Sequence, residues 1–197
     1  MTRVALLRHF PTAWNEAGRL QGRTDIPLSE AARQDLARYR LPAPWRGAPM
    51  LSSPLSRARE TAAHLAGGAV PTDPRLTEMH FGQWEGMEGE ALLSDPTSGY
   101  GPVEHWGLNF RPPGGESPAE IQGRVQPLLA EIAATGRDTI LVTHRGVMRA
   151  ILALASGWAY AGPEPFRIKR RALHVVTLSA DGTPQAFDPP LKLEAQG

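Results

Sequence analysis

Two short stretches of unbroken apolar residues set the frame for this chain. Val4-Ala5-Leu6-Leu7 and Ile140-Leu141-Val142 are bounded by polar residues and far shorter than a helix needs. Continuous rather than alternating apolarity suits a strand buried on both faces, as in a parallel sheet. Met50-Leu51, after the Pro/Gly-rich stretch 42–49, is a weaker third strand. Helical patterns lie between them. Ser29 precedes Ala31, Ala32, Leu36 and Tyr39 at amphipathic spacing, and Ser53-Pro54 fits an N-cap followed by Pro, opening a helix to about Ala66. Ser117-Pro118-Ala119-Glu120 is a capping box, with Ile121, Val125, Leu128, Leu129 and Ile132 following at helix spacing. Gly146 to Ala155 reads as a mostly buried helix. His174 to Ser179 reads as a strand, and Ala180-Asp181-Gly182-Thr183 as a turn into a last one.

Strands alternating with helices predict an α/β fold: a three-layer α/β/α sandwich around a mostly parallel central sheet. The length suits one domain over residues 1–197. Residues 94–116 hold several Gly and Pro without any period, which predicts an inserted lid, at about 83–116, bordering a site.

Composition narrows the chemistry. There is no cysteine, which excludes disulfides, thiolate metal sites and a thiol nucleophile. Lys plus Arg is 21 against 20 for Asp plus Glu, a balance that argues against nucleic-acid coating or polybasic membrane binding. Yet 19 of the 21 basic residues are Arg, whose planar donor fork suits phosphate or carboxylate. The apolar run near the amino terminus is too short for a signal peptide, and Arg149 interrupts the best long apolar stretch, Val147 to Ala155. The expectation is a cytoplasmic protein with no nucleic-acid or membrane partner.

Arg8-His9 leaves the first strand directly and Thr143-His144 leaves the Ile140 strand. Ligands of open α/β sheets bind at the carboxyl ends of strands, so the two histidines are placed to share a pocket. Arg57, in the first turn of a helix after the third strand, adds an anion-attracting end. A phosphoryl group is the natural occupant.

These residues also carry a resemblance. Leu7-Arg8-His9-Phe10 through Asn15, with Gln21-Gly22-Arg23-Thr24-Asp25-Ile26-Pro27-Leu28, resembles the opening of the histidine phosphatase (phosphoglycerate mutase-like) superfamily. Ser53-Pro54-Leu55-x-Arg57-Ala58-x-x-Thr61-Ala62 resembles its second motif, and Leu76-Thr77-Glu78-Met79-His80-Phe81-Gly82-Gln83-Trp84-Glu85-Gly86 its acid-bearing third. Gly114-Gly115-Glu116-Ser117 and Val142-Thr143-His144-Arg145-Gly146 resemble the last two.

The resemblance implies a phosphatase that forms a phosphohistidine on His9 and needs neither metal nor cofactor. Arg8, Arg57 and His144 would surround the transferring phosphoryl as guanidinium forks and an imidazolium. Glu78 would be the general acid–base, and Asn15, Gln21 and Gly22 would line the pocket. The substrate would be a small-molecule phosphate ester. A mutase would need a longer, more basic insertion, whereas only Arg111 lies between Gly82 and Ser117. A silent phosphate-binding module is the other alternative. The wording around Gly22 and Trp84 resembles α-ribazole phosphatases, though broad-specificity members share it.

Two positions depart from the family pattern, Phe10 and Arg145 standing where Gly is usual. Phe10 is expected to narrow or line the entrance, and Arg145 to add a phosphate contact or point to solvent. Trp106, His105 and Arg111 are candidate lid contacts. Other polar residues have plainer readings: Glu85, Glu88 and Glu90 as solvated loop acids, and Arg167-Ile168-Lys169-Arg170-Arg171 as a solvated segment. No spacing suggests a metal site.

Overall fold

Val4 to Leu7 are all 0% exposed, so the first apolar run forms a strand that needs apolar cover on both sides. A computed structural model describing residues 1–196 shows how it is covered. The chain runs through β1 (Thr2–Arg8), α1 (Ala13–Glu16), α2 (Glu30–Leu36), β2 (Tyr39–Arg40), β3 (Met50–Ser52), α3 (Ser56–Ala66) and α4 (Gly89–Ser94). It continues through α5 (Pro118–Thr135), β4 (Thr139–Thr143), α6 (Arg145–Ser156), β5 (Ala172–Leu178), β6 (Pro184–Phe187), β7 (Leu191–Lys192) and β8 (Glu194–Ala195).

The main sheet has the order β3-β4-β1-β5-β6, with β7 also pairing to β5. Strands β3, β4 and β1 are parallel, with Leu6 opposite Leu141 and Arg8 opposite Thr143. Strand β5 is antiparallel to β1, and β6 and β7 are antiparallel to β5, so β5 alone runs against the rest. The period-2 alternation of a strand sorts the core into two layers. Val4, Leu6 and Leu141 pack with Ile121, Val125, Val147 and Ile151 from α5 and α6. Ala5, Leu7, Ile140 and Val142 pack with Ala32, Leu36, Ala58 and Ala62 from α2 and α3. The mixed α/β sandwich anticipated from the apolar runs is the observed one, with the sheet mostly parallel.

Local boundaries follow local chemistry. The Ser117 capping box forms, the Ser117 hydroxyl accepting from the Glu120 N–H. Ser29 caps α2, but Tyr39 lies outside that helix, in β2 against β8. Helix α3 begins at Ser56, not after Ser53, because the Ser53 N–H donates to the Val142 carbonyl and Ser53 extends the sheet edge. The late strand starts two residues earlier than its pattern indicated. Within residues 83–116, α4 and short 3-10 turns are joined by aromatic contacts: Phe110 stacks on Trp84 and on Trp106 with centroids 5.9 and 4.8 Å apart, and Tyr100 meets Trp84 edge-on. No described helix is long and apolar enough to cross a membrane.

Candidate active site

The carboxyl ends of β1 and β4 deliver His9 and His144 side by side. The Arg8–Thr143 register sets the pairing, the His9 N–H donates to the Thr143 carbonyl, and the ring centroids lie 5.1 Å apart. His9 Nδ1 is 2.6 Å from the Phe10 carbonyl oxygen. A carbonyl can only accept, so Nδ1 carries the proton and Nε2 keeps its lone pair. Burial, then the charges of Arg57 and Arg8, hold the His9 pKa well below the usual value, so the ring is neutral.

His144 is 0% exposed. Its Nδ1 accepts from Arg57 Nε at 3.3 Å, which leaves Nε2 to donate to Ser53 Oγ at 2.7 Å. Burial first, then His9 and Arg57, also depress its pKa well below the ordinary value. The imidazolium anticipated at this position is therefore a neutral ring, because a guanidinium N–H already occupies the lone pair that a proton would take.

Arg57 stands behind both rings, fully buried. It donates to the Thr24 carbonyl at 2.9 Å, to the Gly22 carbonyl at 2.6 Å and to His144. Arg8 faces the cavity. Burial, followed by Arg170 and Arg145, pushes its pKa down to about 9, so it stays cationic at neutral pH. Its Nε is buried without an acceptor. Gln21 is in the same condition: its Oε1 accepts from the Thr12 hydroxyl at 3.0 Å, while its Nε2 is buried and unpartnered.

Glu78 is 5% exposed and accepts from the Met79 N–H at 2.7 Å and the Gly146 N–H at 3.0 Å. Burial outweighs these bonds and the nearby Arg57 and Arg8, so its pKa is raised. The carboxyl packs so closely on α6 that a Cβ at Gly146 would overlap Glu78 Oε1. That contact is why a glycine stands second in this helix.

Arg8, His9, Asn15, Gln21, Glu78 and Arg145 all line one cavity of about 520 Å³. Arg57 and His144, both 0% exposed, are not among its lining residues, because their polar atoms are engaged with each other, with Ser53 and with the Thr24 and Gly22 carbonyls; Gly22 does not line it either. Its carbonyl holds Arg57, and a Cβ there would strike Glu85, so Gly22 serves close packing. Phe10 does not narrow the entrance: it is 2% exposed, turned into the α2–α3 layer, and its N–H donates to Thr61 Oγ1. Of the lid candidates, Trp106 lines the cavity. Arg111 turns to the Gly115 carbonyl and Glu120, and His105 is exposed away from the cavity lining.

Three residues escaped the sequence reading. Arg170, read as part of a solvated run, donates to the His9 carbonyl at 2.9 Å and to Asn15 Oδ1 at 3.1 Å. Burial, then Arg145 and Arg171, pushes its pKa down to about 10. Its one available signal was its place just before a strand. Because β5 is antiparallel to β1, with Leu7 opposite Leu173, the entry to β5 abuts the exit of β1. Glu85, read as a solvated acid, accepts from the N–H groups of Arg23, Thr24 and Phe81 and from the Thr24 hydroxyl. Burial pushes its pKa up, but these bonds win and hold it below the ordinary value. Arg149, which only seemed to break an apolar run, lines the cavity and pairs with Glu164 at 2.6 Å.

Paired imidazoles at the carboxyl edge of an α/β sheet, ringed by arginines and facing one buried carboxyl, define a histidine phosphatase. The chain belongs to the histidine phosphatase superfamily (branch 1), whose family model matches residues 4–186. It is 33% identical over 167 residues to glucosyl-3-phosphoglycerate phosphatase of Mycobacterium tuberculosis, covering 77% of this chain and 74% of that one. It is 33% identical over 162 residues to metal-independent phosphoserine phosphatase of Arabidopsis thaliana, covering 77% and 67%. The probable phosphoglycerate mutase GpmB of Escherichia fergusonii is 31% identical over 150 residues, covering 73% and 70%. The crystal structure of phosphoglycerate mutase from Thermus thermophilus superposes with a TM-score of 0.74 at 34% identity, covering 98% of this chain and 100% of that one.

Proposed function

We propose that the protein hydrolyses small phosphomonoesters, without a metal, through a phosphohistidine on His9. The observation that carries this reading is the unprotonated Nε2 of His9, set in a cavity beside two buried donors, Arg8 Nε and Gln21 Nε2, that lack protein acceptors. Buried donors without acceptors are costly, and an oxyanion satisfies both. His9 Nε2 attacks phosphorus; the P–N bond forms as the ester P–O bond breaks, and Glu78 gives its proton to the departing alkoxide. Glu78 then takes a proton from water, whose oxygen attacks phosphorus and releases inorganic phosphate from His9. Arg8, whose buried Nε has no protein acceptor, stabilises the charge that spreads over the equatorial oxygens, while Arg57 holds His144 and the Gly22 loop in place.

Hydrolysis is favoured over mutase transfer because Arg111, the one basic residue in the 83–116 segment apart from His105, faces away from the cavity. Phosphate release from an aryl phosphate, measured with and without a chelator, tests the reading. The expected result is equal turnover in both, with an acid-labile, base-stable phosphoryl label on the protein after rapid quenching. Turnover lost to the chelator and restored by a divalent cation would overturn it.

The shifted pKa values of the two groups set the pH profile. His9 must be unprotonated, so kcat/KM falls only as pH drops through its depressed pKa, well below 6.5. Glu78 must hold a proton, so kcat/KM falls again as pH rises through its raised pKa. The expected profile is a bell whose acid limb belongs to His9 and whose alkaline limb belongs to Glu78. Glu78→Gln should lose about 10²–10³-fold in kcat/KM on alkyl phosphates. Nitrophenyl phosphate, whose leaving group needs little protonation, should lose far less and should also lose the alkaline limb. Equal losses on both substrates would remove Glu78 from the acid role.

A further inference from the structure

Arg145 is the first residue of α6, where free N–H groups carry partial positive charge and a cation is disfavoured. Arg149 follows one turn later, and like charges at this spacing repel. Arg149 is held by Glu164, but Arg145 has no hydrogen-bond or ion-pair partner among the described residues; it is exposed as a residue, yet partial burial and then the Arg149 charge lower its pKa. The cost of Arg145 is therefore eased only at a distance, by Glu164 and Glu78, and by no hydrogen bond or ion pair among the described residues.

Its surroundings say what offsets that cost. Arg8, Arg19, Arg145, Arg149 and Arg170 line the cavity against a single carboxyl, Glu78. Arg8 and Arg170 serve the His9 end, where Arg170 grips the His9 carbonyl. Arg145 stands beside Gly146, whose N–H holds Glu78. If Glu78 protonates the leaving oxygen, Arg145 lies on the leaving-group side of the cavity. Leu20, Phe81, Val103 and Trp106 line the same cavity and offer an apolar wall suited to a carbon skeleton.

Resting on the phosphomonoesterase reading, we propose that Arg145 binds a second anionic group on the leaving half of the substrate. The preferred substrates are then phosphate esters that also carry a carboxylate or a second phosphoryl group, rather than esters of neutral alcohols. A planar guanidinium suits either anion, and its exposure makes the contact sensitive to salt.

The test uses ω-phosphooxy carboxylates of two to six carbons, each beside its amide, which matches it in size but lacks the charge, and beside the terminal phosphonate. At one or more chain lengths a charged ester should exceed its amide at least tenfold in kcat/KM, and the preference should fall as salt is raised. R145Q should cut kcat/KM for the charged ester at least tenfold more than for the amide, and R145K should restore part of the difference. Whichever of carboxylate and phosphonate gives the larger preference identifies the anion. Equal rates for acids and amides, with aryl phosphate still hydrolysed, would overturn the proposal and leave hydrolysis standing. A preference that survives R145Q would overturn the assignment to Arg145. If no ester is turned over, the hydrolysis reading fails by itself. Calorimetric binding of matching non-hydrolysable bisphosphonate, carboxy-phosphonate and amide analogues then reads the charge preference, and its absence overturns the proposal.

Discussion

Replacing His9 with alanine should lower kcat/KM for an aryl phosphate by on the order of 10⁴-fold or more, since among the described residues no other imidazole lines the cavity. His144 cannot substitute, because both of its ring nitrogens are committed, one to Arg57 and one to Ser53. The variant should remain folded: the ring is neutral, and its main polar tie is the bond to the Phe10 carbonyl. Losing that bond leaves one buried acceptor, a cost of about 1–3 kcal/mol. The acid-labile phosphoryl label should disappear along with turnover. A variant that folds like the parent and still releases phosphate at a tenth of the parent rate would remove His9 from the nucleophile's role.

The second large effect is expected at Arg57. Truncation to alanine strips partners from the Gly22 and Thr24 carbonyls and from His144, and leaves a hole in a fully buried site. Losing one partner of a buried charged network typically costs about 3–5 kcal/mol. For a chain of this size each kcal/mol lowers Tm by roughly 2–4 °C. Activity should also fall by about 10²–10³-fold, as the loop carrying Gln21 and Gly22 loses its anchor. Arg57→Lys should regain much of the stability but little of the activity, because one ammonium cannot donate along three fixed directions. Parallel recovery of both, by thermal unfolding and kcat/KM, would contradict the fork geometry as the source of the effect.

Much of this site was visible in local sequence. Arg8-His9 and Thr143-His144 could be placed at one sheet edge because each follows an unbroken apolar run, and such runs become central parallel strands. The Ser117 box announced α5 through four residues of capping chemistry. Ser53 misled for a related reason: Ser-Pro is a helix-start signal, but the side-chain oxygen is engaged by His144, ninety-one residues later in the chain. Glu85 and Arg170 were illegible for the same cause. Their partners lie far away in sequence, and an exposed charge and a half-buried, hydrogen-bonded one have the same local pattern. Phe10 looked like a gate by its neighbour His9, yet the backbone turn after β1 sends its ring into the core.

The amino-acid sequence alone determined the elements, the edge of the sheet at which chemistry occurs and the identities of the principal groups, because apolar period, capping and strand-end placement act over a few residues. The tertiary structure decided which charges are buried, which donors keep no protein acceptor, and which ring nitrogen is free. Those are properties of desolvation and of distance between remote segments, and they exist only once β5 has closed on β1 and the loops around Gly22 and Glu78 have met.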